Sequence, residues 1–486
     1  MSQKLTIAHI AAERQFKHTT LYKSKANGGF EWDLPNLHFF YTERGYFIYR
    51  TSIDRFVPIR VIDNIVKIAG KKELVDEILN FLLNIDECPP HIHQFALKEI
   101  SKATSDDFLI TLPEKQVEFR KDRKDAIQLY FQNCIVKITA DKVTEHPYTD
   151  LNGFIWESQI LPREYKAQQI NPSANFSTFI SNIANNDQSR VNALCAAFGF
   201  YLHNYKDADY CPAVILNDEI ISDNPEGGTG KSLFFEAISY FIKTEIFDGE
   251  LFSFEKGFLY QRIKPDTRLV FFDDTKKGFK FEKLKSFLTG GVTTEKKGKD
   301  EIYIPFIDSP KVGIATNYAI NNSGNSLERR SLELEISQYY NKKRKPKHEF
   351  GHMMFTGWDQ AGKEWIQFDN YAIRCCQLFL SHGLIEQVLI NLPEKKLHSQ
   401  TNSQFLEFME DFKFEYEISK KGMLDQFLAY CPKYKNADWL TVNFFTKWVT
   451  IYCDFHKISL DTTGRDKSGS IRVYKFDNFP ITVPVF

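Results

Sequence analysis

The chain has 486 residues, enough for about three domains of ordinary size. Lys and Arg number 62 against 63 Asp and Glu, a formal net charge of −1, so no global basic field marks a nucleic-acid binder and any such surface must be local. No apolar run reaches membrane-spanning length, residues 1–11 lack a signal-peptide profile, and the 8 cysteines fall in no CxxC spacing. Together these argue against a membrane partner, a disulfide framework and structural zinc, and they lead to the expectation of a soluble, intracellular protein.

In chain order, residues 1–165 read as an accessory α+β region. Short strands are expected at Tyr46–Tyr49, Gln128–Phe131 and Cys134–Ile138, with an amphipathic helix over Glu73–Leu83. No pair of acids on a strand resembles a polymerising metal site. Residues 166–340 begin with a helical stretch, Phe176–Tyr205, followed by the apolar strand Ala213–Leu216. Next comes Pro225-Glu226-Gly227-Gly228-Thr229-Gly230-Lys231-Ser232, and then a helix from Leu233 to Lys243. Strand, glycine-rich loop and helix in that order build a phosphate cradle. Backbone N–H groups of Gly227 through Leu233 turn inward, the helix N-terminus adds partial positive charge, Lys231 reaches the β- and γ-phosphates of ATP, and Ser232 ligates Mg²⁺. Pro225 stands where the strict motif has its first glycine, so Gly227 and Gly228 must shape the start of the loop.

The rest of an ATP-hydrolysing site is expected downstream. Leu269–Phe272 is an apolar strand ending in Asp273 and Asp274: the first acid for Mg²⁺, the second for the attacking water. A short helix, Lys283–Leu288, leads to a hairpin whose tip, Lys296-Lys297-Gly298-Lys299, is cationic and suited to the phosphates of a single strand. The strand Val312–Thr316 ends in Asn317, a candidate sensor of the γ-phosphate. Arg329 and Arg330 precede an alternating strand and are candidate arginine fingers. Each feature alone has an ordinary structural explanation; their order does not.

Residues 341–400 read as a helical extension that closes in a polar linker, Pro393–Ser403. The basic run Lys342–Lys345 reads as a solvated loop. Residues 401–486 read as a small module with helices at Lys421–Tyr430 and Thr441–His456, then a strand at Ile471–Phe476. The turn before that strand carries Arg465 and Lys467, which suggests a winged helix with a basic wing on DNA.

The series GGTGKS, LVFFDD, LTGGVTTEKKGK, GIATN and LERR resembles superfamily 3 helicases, most closely the helicase portion of primase–helicases carried by phages, plasmids and other mobile elements. The resemblance is specific across residues 211–337. It implies an α/β P-loop NTPase core of modified AAA+ type, an ATP- and Mg²⁺-dependent 3′→5′ DNA helicase, and generally a homohexamer on single-stranded or forked DNA. It also implies a replication role in the cytoplasm of a bacterial host, with a primase as a possible partner. Within the arginine pair it favours Arg330, because Leu334 and Ile336 fall at the family's offsets. Asp274 stands where glutamate is commoner, a shorter reach toward the water. The alternatives are an AAA+ initiator or loader that remodels DNA without processive unwinding, a non-motor binding protein, and a self-contained primase–helicase.

Overall fold

Five strands form a parallel sheet at the centre of the chain: β1 (Ala213–Asp218), β2 (Thr244–Asp248), β3 (Leu269–Thr275), β4 (Lys311–Thr316) and β5 (Ser331–Ile336), in the order β2-β3-β4-β1-β5. The computed structural model describes residues 20–478 apart from positions 27, 53–54, 85–87, 220–226, 256, 258, 297–298, 321–324 and 359–361. Every residue of β1 and β4 is buried, so these strands read as continuous apolar runs and not as alternations, as covering both faces of a parallel sheet requires. One face is covered by α1 (Asn175–Ile183), α2 (Gln188–Leu202), α3 (Lys231–Ser239) and α4 (Lys363–His382). The other carries Phe279, Phe281, Leu284 and Phe287, together with Val292 and Ile304 from the base of an antiparallel hairpin, Gly291–Lys296 with Lys299–Pro305.

The stretch Phe176–Tyr205, expected as one helical run, is two helices. Asn185 and Asn186 take left-handed backbone (φ 56° and 57°), and the Asp187 carboxylate accepts from the Arg190 N–H at 3.0 Å to start α2. The helix expected at Leu233–Lys243 begins two residues earlier, at Lys231, and ends at Ser239.

Two further four-stranded sheets precede this core. One is built from Tyr46–Ser52, Arg55–Ile62, Ile65–Ile68 and Ile155–Trp156. The other comprises Ile127–Phe131, Ile135–Ile138, Val143–His146 and Ile160–Leu161. Ile127, Leu129, Phe131 and Val136 of the second sheet share one apolar core with α1, α2 and α4.

Residues 403–477 form their own core, built on helices Ser403–Asp411, Lys420–Tyr430 and Val442–His456 and a three-stranded antiparallel sheet. The segment read as a polar linker is mostly helix, α5 (Leu392–Gln400). Pro393 is tolerated in its first turn, where a backbone donor is surplus. Leu397 joins the C-terminal core, and Lys395 is buried.

The two longest core helices touch closely at Gly199. A Cβ there would lie 2.3 Å from the Cys375 carbonyl oxygen and 2.8 Å from the Phe379 Cβ, both on α4. Gly199→Ala is therefore expected to lower stability by about 1–3 kcal/mol through forced helix separation. Gly290→Ala, where nothing lies within 4 Å, is the control expected to leave the denaturation midpoint unchanged.

Candidate functional site

At the C-terminal ends of the parallel strands, β1, β3 and β4 deliver polar side chains to one place. Strand β1 ends in Asn217 and Asp218, both buried. The chain returns at Gly227 and Gly228 (φ 65° and 81°) and passes Gly230 (φ 110°) into α3. Pro225, the departure from the strict loop motif, lies outside the described residues. Gly230 is required twice over. Its φ suits glycine, and a Cβ would come within 3.0 Å of the Phe179 ring and 3.1 Å of Ile183.

Lys231, the first residue of α3, is buried with its ammonium surrounded by acceptors. Nζ donates to Asp218 Oδ1 at 2.5 Å, to Asn317 Oδ1 at 2.7 Å and to Thr229 Oγ1 at 3.1 Å. The Thr229 hydroxyl also donates to Asp218. Burial pulls the Lys231 pKa below the usual lysine value, and the Asp218 carboxylate pulls it back. Ser232, the next residue, is exposed, and its Oγ donates to Asp273 Oδ1 at 2.7 Å.

The paired acids occupy an irregularity. The register between β3 and β4 shifts between Phe272 and Thr275, and Asp274 adopts left-handed backbone at φ 51°. Such backbone in a non-glycine residue costs about 1 kcal/mol or more, and it turns successive carboxylates to different partners. Asp273 faces Ser232. Asp274, exposed, accepts from Asn317 Nδ2 at 2.8 Å. Burial raises the Asp273 pKa, opposed by the Ser232 hydrogen bond and reinforced by the neighbouring Asp274 charge. Asn317 thus bridges Lys231 and Asp274 from the end of β4, the strand that lies between β1 and β3.

Ser232 and Asp273 present adjacent oxygen donors, the ligand type of Mg²⁺. Among the described residues no group of three His, Cys, Asp or Glu side chains is placed to hold a metal by itself. A cation here would draw its remaining ligands from water or from a bound phosphate.

The other sequence candidates lie elsewhere. Arg329 and Arg330 form the turn before β5, whose Ser331 pairs with Ala213 at the start of β1. They therefore sit at the opposite end of the sheet from their own Lys231, about 17 Å of strand away. Lys296 and Lys299 are register partners at the end of the hairpin, and Lys297 lies outside the described residues. In the C-terminal module the chain order is helix, strand, helix, helix, strand, strand, and Arg465 and Lys467 are exposed between the last two strands. Arg465 Nη1 donates to the Gly469 carbonyl at 2.8 Å, and Asp466 organises the turn by accepting from Ser470 and Ile471 N–H groups at 2.9 and 3.0 Å.

Two participants were not singled out from the sequence. Asp218 was signalled by the polar Asn-Asp pair that closes an otherwise apolar strand. Lys395 carried no sequence signal. It reaches from α5 to donate to the Asp218 carbonyl oxygen and to Asn217 Oδ1 at 3.3 Å. Burial lowers its pKa to about 8. The segment is docked by the buried Glu335 carboxylate, which accepts from the Ile390 N–H and from the Asn391 N–H at 3.0 Å.

Residues 224–330, from the glycine-rich loop to Arg330, match the profile of a family of unknown function, DUF5906. No curated protein matches the chain. Among solved structures, the apo C-terminal region of NrS-1 in its A form aligns over 91% of this chain and 99% of its own, at 13% identity and TM-score 0.44. A further apo structure of the NrS-1 C-terminal region aligns over 92% and 99%, at 14% identity and TM-score 0.41. JCV helicase with a bound small molecule aligns over 57% of this chain and 65% of its own, at 11% identity and TM-score 0.25. At such scores the likeness supports no functional assignment by itself. No helix among the described residues is long and apolar enough to cross a membrane.

Removing one member of a buried ion pair strands the other. Asp218→Asn is expected to lower the stability of the ligand-free protein by about 3–5 kcal/mol. Combining it with Lys231→Met should recover much of that loss, because no unpaired ammonium remains. Chemical denaturation of the single and double variants measures both.

Proposed function

We propose that this chain is an ATP-dependent DNA helicase, a ring-forming translocase of superfamily 3 type acting in the replication of a phage, plasmid or other mobile element in its bacterial host. The observation that carries the reading is the convergence of Lys231, Ser232, Asp273, Asp274 and Asn317 at one end of a parallel sheet, with Ser232 and Asp273 in contact at 2.7 Å.

In this reading the pocket at the head of α3 receives the triphosphate. Lys231 leaves Asp218 and neutralises the β- and γ-phosphate oxygens, while the N-terminal amides of α3 and the glycine loop cradle them. Ser232 and Asp273 hold Mg²⁺, which when bound draws charge from the phosphates. Asp274 polarises the attacking water and Asn317 holds it in line, since its amide already touches Asp274. Arg330, remote from its own Lys231, acts in trans on the nucleotide of a neighbouring copy, which requires the chain to assemble as a ring, a homohexamer in the family it resembles. Arg329 is the other candidate for that role. A finger of this kind is typically worth ~10³–10⁵ in rate.

The hairpin whose sequence carries Lys296, Lys297 and Lys299 has its base on the face opposite α1, α2 and α3, and in this reading its lysines grip successive phosphates of single-stranded or forked DNA. The helix-strand-helix-helix-strand-strand order of residues 403–477 supports a winged helix whose wing carries Arg465 and Lys467. A primase or other replication protein is a possible further partner in this reading.

Strand displacement on forked DNA is the test. Wild type is expected to unwind the fork with ATP and Mg²⁺. Lys231→Ala should abolish both turnover and unwinding, and Lys297→Ala with Lys299→Ala should abolish unwinding and the response of turnover to single-stranded DNA. ATP-driven release of bound protein from DNA without strand displacement would instead identify an initiator or loader.

A further inference from the structure

At the opposite end of the sheet from Lys231, a cavity of about 40 Å³ lies under the starts of β2, β3 and β4. One water needs roughly 10–15 Å³ on this measure, so the space takes a group about the size of phosphate. Its wall brings together Lys206, Lys243, Arg268 and Lys311 with Asp122 and Asp266. Gln128 and Ser158, from the N-terminal region, complete one side.

The charges in this wall do not balance. Lys243 and Asp266 are paired at 2.6 and 2.7 Å, which uses one carboxylate. Asp122 accepts from the Asn204 and Gln128 N–H groups at 2.7 and 2.9 Å. Lys206 donates to Ser309 Oγ at 2.8 Å, and Lys311 to the carbonyls of Phe200 and His203 at 2.5 and 2.6 Å, all neutral acceptors. Asp308, nearby, is held by Lys121 at 2.7 Å. Among the described residues the Arg268 guanidinium makes no hydrogen bond, and its Nε is buried without a partner.

Arg268 is half-buried, but its Nε is shut off from solvent, and such an atom is costly to leave unpaired because it has lost water and gained no acceptor. Burial also disfavours the charged forms of the groups beside it. Burial lowers Lys206 to about 8 and Lys311 to about 7, and burial with the Lys311 charge lowers His203 to about 4, leaving its imidazole neutral. Water in the cavity could accept hydrogen bonds from Arg268, whereas an anion would also favour the charged forms of Lys206 and Lys311, which among the described residues form no ion pair with a carboxylate.

We propose that this cavity is a second anion site, distinct from the phosphate loop, which takes a phosphate-type oxyanion anchored by Arg268 and held in the field of Lys206 and Lys311. The planar guanidinium offers paired N–H donors at the spacing of two oxyanion oxygens, which chloride cannot exploit. Occupancy would tie the N-terminal region, through Gln128 and Ser158, to the base of the sheet.

The test is thermal melting of the full chain titrated with inorganic phosphate, with chloride and acetate at matched ionic strength, for wild type and the variants Lys231→Ala, Arg268→Gln and Arg268→Lys. Phosphate is expected to raise the melting temperature saturably in wild type and in Lys231→Ala, the latter having lost the phosphate loop's own anchor. Arg268→Gln should melt no lower than its parent in chloride, since it removes a cation that has no partner, and should bind phosphate at least about tenfold more weakly. Arg268→Lys, which keeps the charge but not the fork, should also weaken binding. Loss of the response in Lys231→Ala, its survival in Arg268→Gln, its absence in wild type, or acetate matching phosphate would each overturn the proposal.

Discussion

The constraint on which the candidate site depends is the burial of one ammonium. Lys231 is 6% exposed, and a charge so placed must be fully partnered or lose its proton. Three partners come from three elements: Asp218 from the end of β1, Thr229 from the loop and Asn317 from the end of β4. Satisfying that one cation therefore fixes the helix start, the loop and two strand ends relative to each other. Asn317 extends the arrangement to Asp274, and Ser232, the residue after Lys231, brings in Asp273. A polyphosphate is the natural competitor for the same ammonium, since it offers oxygens of higher charge than a single carboxylate. In the proposed function Lys231 exchanges Asp218 for that ligand. Asp218 need not be stranded by that exchange, because Lys395 already touches its backbone and lies close enough to raise the local potential. Lys395 is on α5, whose Leu397 belongs to the C-terminal core, so one helix links the Lys231 end of the sheet to the C-terminal module.

The two ends of the sheet carry different chemistry. Strand polarity puts the loop, the acids and Asn317 at one end and Arg329 and Arg330 at the other. That separation keeps Arg329 and Arg330 away from their own Lys231, and the proposed function accordingly has the finger act on a neighbouring copy. The base of β2, β3 and β4 gathers buried and half-buried cations where the N-terminal region meets the sheet. Neither feature follows from the phosphate loop, yet both depend on the same parallel strand order.

Much of the candidate site was legible because its parts are short and local in the sequence. Glycines before a Lys-Ser pair, an apolar strand closing in two acids, and an apolar strand closing in Asn317 each announce themselves within a few residues, and the structure brings all three to one place. What stayed hidden was long-range or hung on a local backbone choice. The break in Phe176–Tyr205 hung on two asparagines taking left-handed backbone, which a helical apolar pattern masks. The polar stretch Pro393–Ser403 looked like a linker because its charges suggested solvent, whereas Lys395 and Lys396 are turned toward acceptors on β1 and β5. Arg268 looked like one more charged residue before a strand, and only the fold shows that it faces a cavity.

The most direct measurement of the central claim is ATP turnover by the purified full-length chain as forked DNA is added, in the presence of Mg²⁺. The charge-exchange site driving a DNA motor predicts Mg²⁺-dependent turnover that rises and saturates with DNA. No turnover, or turnover indifferent to DNA at every concentration, would contradict it.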